Sequence, residues 1–207
     1  MPDFELEDKI NGVVAGVDEA GRGPWVGPVV AGCTVFLNHH VDTVLLENLN
    51  DSKKLSKKKR EMLYDLLLEE AKKGHILVGI GEASAQEIDD INILNASFLA
   101  MKRALDKACV QKPDMVLVDG NREPKNFGCP VKAVIKGDAK SYSISAASIL
   151  AKVYRDRLME KMAVKYSGYG FEKNAGYGTK QHIEGLKKYG VTPEHRRSYA
   201  PIKEFLK

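Results

Sequence analysis

The chain has 207 residues, 43% of them hydrophobic, and a formal net charge of +4 at pH 7. This size and apolar content suit one ordinary folded domain with a core of its own. No run of about 18 apolar residues is present to span a bilayer, and the acidic start Met1–Glu5 is unlike a secretory signal. We therefore expect a soluble, cytoplasmic, monomeric protein whose mild positive charge permits a polyanionic partner without requiring one.

Cysteine and histidine spacing argues against zinc and against disulfides. Cys33, Cys109 and Cys129 lie far apart in the sequence without a C-x-x-C pair, and the five histidines form no H-E-x-x-H motif. We interpret the cysteines as reduced packing residues.

Hydrophobic periodicity predicts strands and helices that alternate along most of the chain. The predicted strands cover residues 12–17, 28–37, 75–80, 115–118 and 130–135, and the predicted helices cover 56–73, 84–110 and the stretch after Asp138. The first two strands form a hairpin, and the order indicates an α/β fold with a mixed sheet flanked by helices. The tyrosine- and glycine-rich stretch from about residue 166 predicts a small C-terminal helical appendage, or subdomain, within the single domain 1–207.

Positive charge is concentrated in two segments. Residues 52–60 form a dense basic run, and Lys187 and Lys188 with His195–Arg197 form a second cluster. The first run is explained equally well by the solvated face of a helix and by contact with a nucleic acid.

Four acidic residues stand where predicted strands end. Asp18 and Glu19 follow the first strand, Asp119 follows the strand 115–118, and Asp138 precedes the last long helix. Each acid alone has a simpler explanation as a solvated loop residue, a turn residue or a helix N-cap. Because side chains alternate along a strand, Asp18 and Glu19 can face one site only if the backbone leaves strand geometry at Glu19.

Four carboxylates brought together would repel one another unless cations neutralised them. Hard divalent cations with oxygen ligands are the usual solution, so the pattern favours Mg²⁺ or Mn²⁺ at the ends of the strands. Two such ions about 4 Å apart would suit phosphodiester hydrolysis, with no need for a histidine or serine nucleophile.

The loop Gly21–Gly27 is similar to a dinucleotide-binding fingerprint, but Val26 stands where the third glycine is required. A dinucleotide site is thereby excluded. We interpret the glycines as allowing the backbone to approach a ligand closely, with Arg22 either reaching a phosphate or bracing the loop.

Small and polar residues recur at three- and four-residue steps on the last long helix: Ser141, Ser145, Ser148, Lys152 and Asp156. Such spacing places them on one helix face. Close helix packing is one explanation of this face. In the other, Lys152 or Asp156 faces the proposed metal site and supports its ligands.

Short motifs follow one another in a characteristic order from Gly16 to Ser198. They are Gly16–Pro24, Asn50–Ser56, Val118–Gly120, Lys136–Asp138, Ala146–Val153 with Arg155 and Asp156, Gly176–Thr179 and His195–Ser198. This series resembles the signature of the type 2 ribonuclease H family in its bacterial form, and it spans nearly the whole chain.

The resemblance implies a ribonuclease H-like fold and a metal-dependent endonuclease. Its substrates would be RNA/DNA hybrids and duplex DNA with embedded ribonucleotides, cut on the 5′ side of the ribonucleotide to leave 5′-phosphate and 3′-hydroxyl ends. The resemblance also implies that Asp18, Glu19, Asp119 and Asp138 are the catalytic ligands of Mg²⁺ or Mn²⁺.

By the same resemblance, Gly21, Arg22 and Gly23 contact the ribonucleotide 2′-hydroxyl, and Tyr177 packs on the adjoining sugar. This agrees with physical logic, because the 2′-hydroxyl is the group that distinguishes RNA from DNA. Lys53 lies in the segment that resembles the family's phosphate-contacting loop.

Three positions depart from the family pattern. Trp25 stands where a smaller aliphatic residue is common, Ala175 where lysine is frequent and Tyr199 where phenylalanine is frequent. A lysine lost beside Tyr177 would weaken a phosphate contact.

Two other hypotheses compete with the family interpretation. In the first, the protein is a hybrid- or RNA-binding module whose acids are caps and turns, and it binds without metal. In the second, it is a different nuclease or a transposase-like enzyme on the same fold, which would not need the Gly21–Gly23 loop or Tyr177.

Overall fold

The computed structural model describes residues 1–206. The strands are β1 (Val14–Ala20), β2 (Val29–Phe36), β3 (Ile76–Ala83), β4 (Met115–Asp119) and β5 (Val131–Val134). The helices are α1 (Glu5–Asp8), α2 (Thr43–Asn48), α3 (Lys57–Lys72), α4 (Ala85–Ala108), α5 (Tyr142–Lys165), α6 (Phe171–Asn174), α7 (Lys180–Tyr189) and α8 (Ala200–Lys203), and a 3-10 turn covers Gly137–Ala139. All predicted strands and long helices are present within a few residues. Periodicity missed α1 and α2 because helices of 4 and 6 residues give no repeating pattern.

The five strands form one mixed sheet in the order β3-β2-β1-β4-β5. β2 runs antiparallel to both of its neighbours, β1 and β3. β4 runs parallel to both β1 and β5. The predicted hairpin and the predicted mixed α/β architecture are therefore confirmed.

Helix α5 packs closely on one face of β1 and β2 because two glycines leave room for its backbone. A Cβ atom at Gly16 would lie 2.3 Å from the carbonyl carbon of Ser143, and one at Gly32 would lie 2.2 Å from the carbonyl oxygen of Ala147. The buried side chains of this part of the helix include many serines and alanines. Ser145 and Ser148 of the predicted small, polar face are also buried, which agrees with close packing of that part of the helix.

Helix α4 covers the other face and shares a hydrophobic core with β1, β2 and β4. Its first turn is closed by a capping box between Ser84 and Glu87. The helix breaks at Asn92, which has a positive φ of 66°, and the Asn92 side chain accepts hydrogen bonds from the N–H groups of Leu94 and Asn95. Ile91, which the periodicity predicts to be buried, is exposed beside this break.

The C-terminal segment folds back on the loop between β1 and β2. Val26 of that loop and Met159 of α5 share a hydrophobic cluster with Phe171 and Ile202. Helices α6, α7 and α8 belong to this segment, as the predicted helical appendage requires. Its description as a subdomain of one domain stays a prediction. Within residues 1–206, no helix is long and apolar enough to cross a membrane.

Replacing Gly32 by alanine should destabilise the protein through α5. The added methyl group would meet a backbone oxygen at 2.2 Å, so we expect the free energy of unfolding to fall by about 2–3 kcal/mol. Gly74→Ala is the control, because Gly74 has a φ of +77° but open space around it. That change should cost only about 1 kcal/mol of backbone strain. Urea unfolding measures both variants, and equal losses would contradict the close contact.

Candidate active site

The carboxyl ends of β1 and β4 border the candidate site. These parallel strands are paired only as far as Val17 and Val118, so they separate at the next residues, Asp18 and Asp119. A cleft of about 330 Å³ opens there, and Asp18 and Glu19 line it. Asp119 and Asp138 line an adjoining cleft. Lys53 borders both clefts, so the four predicted acids surround one continuous region.

Asp18 and Glu19 border the same cleft although β1 keeps strand geometry through Ala20. Both residues stay in antiparallel register with β2. The expectation that the backbone leaves strand geometry at Glu19 is therefore wrong. Beyond Val17, β1 has no pairing on its β4 side, so side chains from both faces of the strand reach the opening.

Asp119 holds the turn that carries Asp138. One Asp119 carboxylate oxygen accepts a 2.7 Å hydrogen bond from the N–H of Gly137. Asp138 is buried in this turn, but it does not cap α5. Ser141 is the N-cap, and its hydroxyl oxygen accepts a hydrogen bond from the N–H of Ile144. The alternative role of Asp138 as the helix cap is therefore wrong.

Burial and the charges of neighbouring acids raise the pKa values of Asp18, Glu19 and Asp138. Burial raises the pKa of Asp18 well above its usual range, and three neighbouring acids add to the shift. In order of effect they are Glu19, Asp119 and Asp138. Burial also raises the pKa of Glu19, while the Arg22 guanidinium opposes this rise.

A fifth acid, Asp51, lies beside Asp138 and was not predicted as part of the site. Burial raises the pKa of Asp138, and the charges of Asp119 and then Asp51 raise it further. The Lys53 ammonium group opposes the shifts of both Glu19 and Asp138. Asp51 was missed because it follows no strand and is separated by long stretches of sequence from the acids it approaches.

This donor set fits a hard divalent cation. Within residues 1–206, no three acidic, histidine or cysteine side chains already converge into a metal-binding group. The acids instead form an open negative cluster that Lys53 and Arg22 neutralise only in part. A cation among them would favour the charged form of Asp18, which burial and its neighbours now disfavour.

The loop that carries Lys53 is anchored from behind. The Ser148 hydroxyl donates a 2.7 Å hydrogen bond to the Ser52 hydroxyl, and both side chains are buried. The Arg60 guanidinium donates to the carbonyl oxygens of Ser52 and Leu55 at 3.0 and 2.6 Å. Lys53 therefore enters the cleft from a fixed backbone.

Lys152 lines the cleft, and Asp156 holds its side chain. The Lys152 Nζ atom lies 2.6 Å from Asp156 Oδ1. The second Asp156 oxygen lies 3.7 Å from the guanidinium of Arg60. Of the two residues predicted to support the site, Lys152 thus faces it directly and Asp156 acts through Lys152.

Gly21, Arg22 and Gly23 form one wall of the cleft together with Tyr177. The Tyr177 ring is 53% exposed and lies against Gly23, where an added Cβ atom would come within 3.2 Å of it. The Arg22 guanidinium lies 3.3 Å from the Glu19 carboxylate. Of the two roles considered for Arg22, this contact supports bracing of the loop.

Two buried arginines support this wall from below. Arg196 is fully buried, and its guanidinium donates to the carbonyl oxygens of Gly21, Arg22 and Gly27 at 2.6, 2.9 and 3.0 Å. His195 and Arg196, which the sequence groups with Arg197 in a basic cluster, are thus both buried. A buried arginine that binds distant carbonyls leaves no local pattern in the sequence.

Arg155 of α5 makes the second set of contacts. Its guanidinium donates to the carbonyl oxygens of Pro28, Val26 and Ala175 at 3.2, 3.1 and 3.1 Å. Ala175 has a positive φ of 48°. Arg155 therefore ties the Gly21–Gly27 loop to the segment that carries Tyr177.

Two buried histidines connect Tyr177 to the C-terminal segment. The Nε2 atoms of His182 and His195 lie 3.1 Å apart, and His182 Nδ1 lies 3.0 Å from the Tyr177 carbonyl oxygen. Burial lowers the pKa of His182. Burial and the neighbouring His182 lower the pKa of His195 to about 4. At neutral pH both rings are therefore uncharged.

Comparison with models of known protein families identifies the family of this chain. The family model described as Ribonuclease HII matches residues 15–202. The chain belongs to the ribonuclease HII family. The Ribonuclease HII of Paramagnetospirillum magneticum is 50% identical over 206 residues, which cover 100% of this chain and 99% of that protein. The Ribonuclease HII of Gluconobacter oxydans is 51% identical over 207 residues, covering 100% and 97%.

Solved structures share the fold. The crystal structure of the ribonuclease H2 from Pyrococcus horikoshii OT3 has a TM-score of 0.73 and 32% identity, covering 93% of this chain and 96% of that chain. The structure of Bst-RNase HIII in complex with Mn²⁺ has a TM-score of 0.67 at 16% identity, covering 94% and 69%, which shows the fold alone. The predicted family, the ribonuclease H-like fold and the enzyme class are therefore confirmed: the protein is an endoribonuclease of the ribonuclease H type, acting on RNA/DNA hybrids.

Acid should weaken the fold through His195. An unfolded histidine has a pKa of about 6.5, whereas the pKa of His195 is about 4 in the folded protein. The unfolded state therefore takes up a proton first as the pH falls. The contribution of His195 to stability is complete above about pH 6.5 and is lost progressively towards pH 4, about 2–3 kcal/mol for a shift of this size.

The His195→Asn variant measures this contribution. Its free energy of unfolding should fall less steeply between pH 7 and pH 4.5 than that of the unmodified protein, because the variant lacks the titrating ring. His40→Asn, a change at an exposed loop residue, is the matched control. Identical pH slopes for the His195 variant and the unmodified protein in urea unfolding would contradict the assignment.

Proposed function

We propose that this protein hydrolyses the phosphodiester on the 5′ side of a ribonucleotide, leaving 5′-phosphate and 3′-hydroxyl ends. The substrates would be RNA/DNA hybrids and duplex DNA with embedded ribonucleotides. One observation carries this proposal: Asp18 and Glu19 share a cleft with the Gly21–Gly23 loop and Tyr177, and Asp119 and Asp138 line the adjoining cleft. The carboxylates that bind the catalytic metal would thereby lie beside the loop and the tyrosine that select the sugar.

The four carboxylates, in this proposal, hold Mg²⁺ or Mn²⁺. The negative charge of the cluster and its hard oxygen donors support a divalent cation of this class, and a protein of the same fold has been solved with Mn²⁺. Two such cations would supply the charge that activates water and stabilises the leaving 3′-oxygen. Asp119 would contribute one oxygen, since its other oxygen accepts the hydrogen bond from Gly137.

Lys53 and Lys152 would bind the nucleic-acid backbone. Both line the cleft, and lysine offers a compact positive charge with three donors that suits a phosphate. Their charge would also reduce the repulsion between the incoming phosphates and the acids. The anchored loop fixes the backbone of Lys53, and Asp156 holds the ammonium group of Lys152 before the substrate arrives.

The Gly21–Gly23 loop and Tyr177 would select the ribonucleotide. Gly23 has no side chain on the wall that it shares with Tyr177, so a sugar can approach its backbone closely. At Gly21 a Cβ atom would instead lie 1.9 Å from Arg155 Nε, so glycine there makes room for Arg155. Tyr177 presents a ring that is about half exposed, on which the adjoining sugar can pack. A 2′-hydroxyl would then meet backbone polar groups that a deoxyribose leaves unpaired.

A DNA duplex that contains one ribonucleotide tests the proposal directly. With Mg²⁺ or Mn²⁺ we expect cleavage on the 5′ side of the ribonucleotide and no cleavage of the all-DNA duplex. Asp119→Asn should still bind the substrate while kcat falls by about 1,000-fold, the order of loss seen when a group that stabilises transition-state charge is removed. Asp114→Asn, at the amino end of β4, should leave kcat unchanged.

Three results would contradict this assignment. Metal-independent binding without cleavage by the unmodified protein would favour a binding module. Cleavage of long hybrids alone would favour a different nuclease chemistry on the same fold. An Asp119→Asn variant with undiminished kcat would remove Asp119 from the catalytic group.

Lys53→Ala should weaken binding of the substrate by loss of one phosphate contact. We expect the dissociation constant to rise about 3- to 10-fold and the slope of log K against log salt to decrease in magnitude by about one. Lys9→Ala is the matched control, because Lys9 pairs with Glu5 near α1, before β1 begins. An unchanged salt slope in the Lys53 variant would show that this lysine contacts no phosphate.

A further inference from the structure

Arg196 and Tyr199 together fix the carbonyl groups of the Gly21–Gly23 loop. Arg196 donates to the carbonyl oxygens of Gly21 and Arg22 at 2.6 and 2.9 Å. The Tyr199 hydroxyl donates to the same Arg22 oxygen at 2.6 Å and accepts a 3.0 Å hydrogen bond from Arg196. The two peptide groups that follow Gly21 and Arg22 are thus held by three hydrogen bonds.

These contacts determine where the loop N–H groups point. In a trans peptide the C=O and N–H bonds point in opposite directions, and residues 1–206 contain no cis peptide. With the carbonyls of Gly21 and Arg22 turned inward to Arg196, the N–H groups of Arg22 and Gly23 are turned away from it. Both residues line the cleft. Neither N–H group has a hydrogen-bond acceptor among the described residues.

The side chain that holds the Gly21–Gly23 loop, Arg196, is a buried positive charge. Arg196 is fully buried, and burying a charge costs free energy that uncharged donors would avoid. The guanidinium lies beneath the peptide groups and carries a full positive charge. That charge strengthens the donor character of the N–H groups on the far side, because it polarises the carbonyls that it binds.

The segment that carries these two side chains is itself fixed. Asp89 of α4 accepts hydrogen bonds from the N–H groups of Arg197 and Ser198 at 2.8 Å each, and from the Ser198 hydroxyl at 2.6 Å. Arg196 and Tyr199 lie on either side of this contact. The backbone that carries Arg196 and Tyr199 is therefore held in place, which residues that orient a peptide group require.

We propose that Arg196 and Tyr199 are positioning residues for ribonucleotide selection: they aim the N–H groups of Arg22 and Gly23 at the 2′-oxygen of the substrate sugar. Neither side chain touches the substrate, and both act through the loop. The inference rests on the proposed function, in which this loop reads the 2′-hydroxyl.

The test measures selectivity, which a general loss of folded protein does not change. In the Asp119→Asn background, with Mg²⁺ present, the dissociation constant of an all-DNA duplex is divided by that of the same duplex with one ribonucleotide. Tyr199→Phe removes the hydroxyl that binds both the Arg22 oxygen and Arg196, and it should lower this ratio about threefold, which corresponds to about 0.7 kcal/mol. Arg196→Lys should lower it by about tenfold or more, because lysine keeps the charge but cannot hold three carbonyls with a planar fork.

Matched controls remove the same chemical groups elsewhere. Tyr189→Phe removes the hydroxyl of an exposed tyrosine, and Arg157→Lys replaces an arginine that pairs with Glu61 on α3. Both should leave the ratio unchanged. If Arg196→Lys does not fold, as judged by near-ultraviolet circular dichroism, Tyr199→Phe decides the question by itself.

The outcomes separate this inference from the function on which it rests. A selective Asp119→Asn protein whose ratio is unaffected by either Arg196→Lys or Tyr199→Phe would overturn the positioning role alone. An Asp119→Asn protein that binds both duplexes equally would overturn the proposed selection of ribonucleotides, and the positioning role with it. A ratio that falls in the two variants and not in the controls supports the inference.

Discussion

The close contact between α5 and the β1–β2 pair determines where most groups of the cleft lie. Gly16 and Gly32 let the helix backbone approach the sheet to a distance that a single methyl group would prevent. The helix then brings Ser148 to the loop of Lys53, Lys152 to the cleft and Arg155 to the carbonyls beneath the glycine loop. A helix displaced by side chains of ordinary size would separate these groups from their partners, since hydrogen bonds weaken within a few tenths of an ångström.

Local pattern predicted the strands, the long helices and the placement of four acids, because alternation and helical spacing are properties of neighbouring residues. It was wrong at Glu19, since the end of an apolar run is not the end of backbone pairing: β1 continues to Ala20 in register with β2. It also left Asp138 open as a helix cap, a role that Ser141 fills. The N-cap of a helix is the residue at which the backbone enters the helical conformation. Several polar residues in succession before a helix are equally good candidates in the sequence.

The sequence could not identify the partners of the residues that support the site, for a different reason. Arg196 binds the carbonyl oxygen of Gly21, which lies 175 residues away in the chain. Such a contact depends on how the C-terminal segment folds back on the β1–β2 loop, and neither end carries a local sign of it. A run of arginines is most often solvated, so sequence pattern favours the surface for Arg196 and the structure places it in the interior.

The lysine and arginine side chains of the site are not interchangeable. Lys53 and Lys152 line the cleft with compact ammonium groups that each offer three donors, which suits a phosphate. Arg155 and Arg196 lie beneath the loop, where a planar guanidinium can bind three fixed carbonyl oxygens at once. In the proposed function the lysines would attract the substrate and the arginines would shape the surface that it meets. Because the arginines bind backbone oxygens and not the acids, the geometry of the loop that we propose selects the sugar can change without a change in the proposed metal ligands.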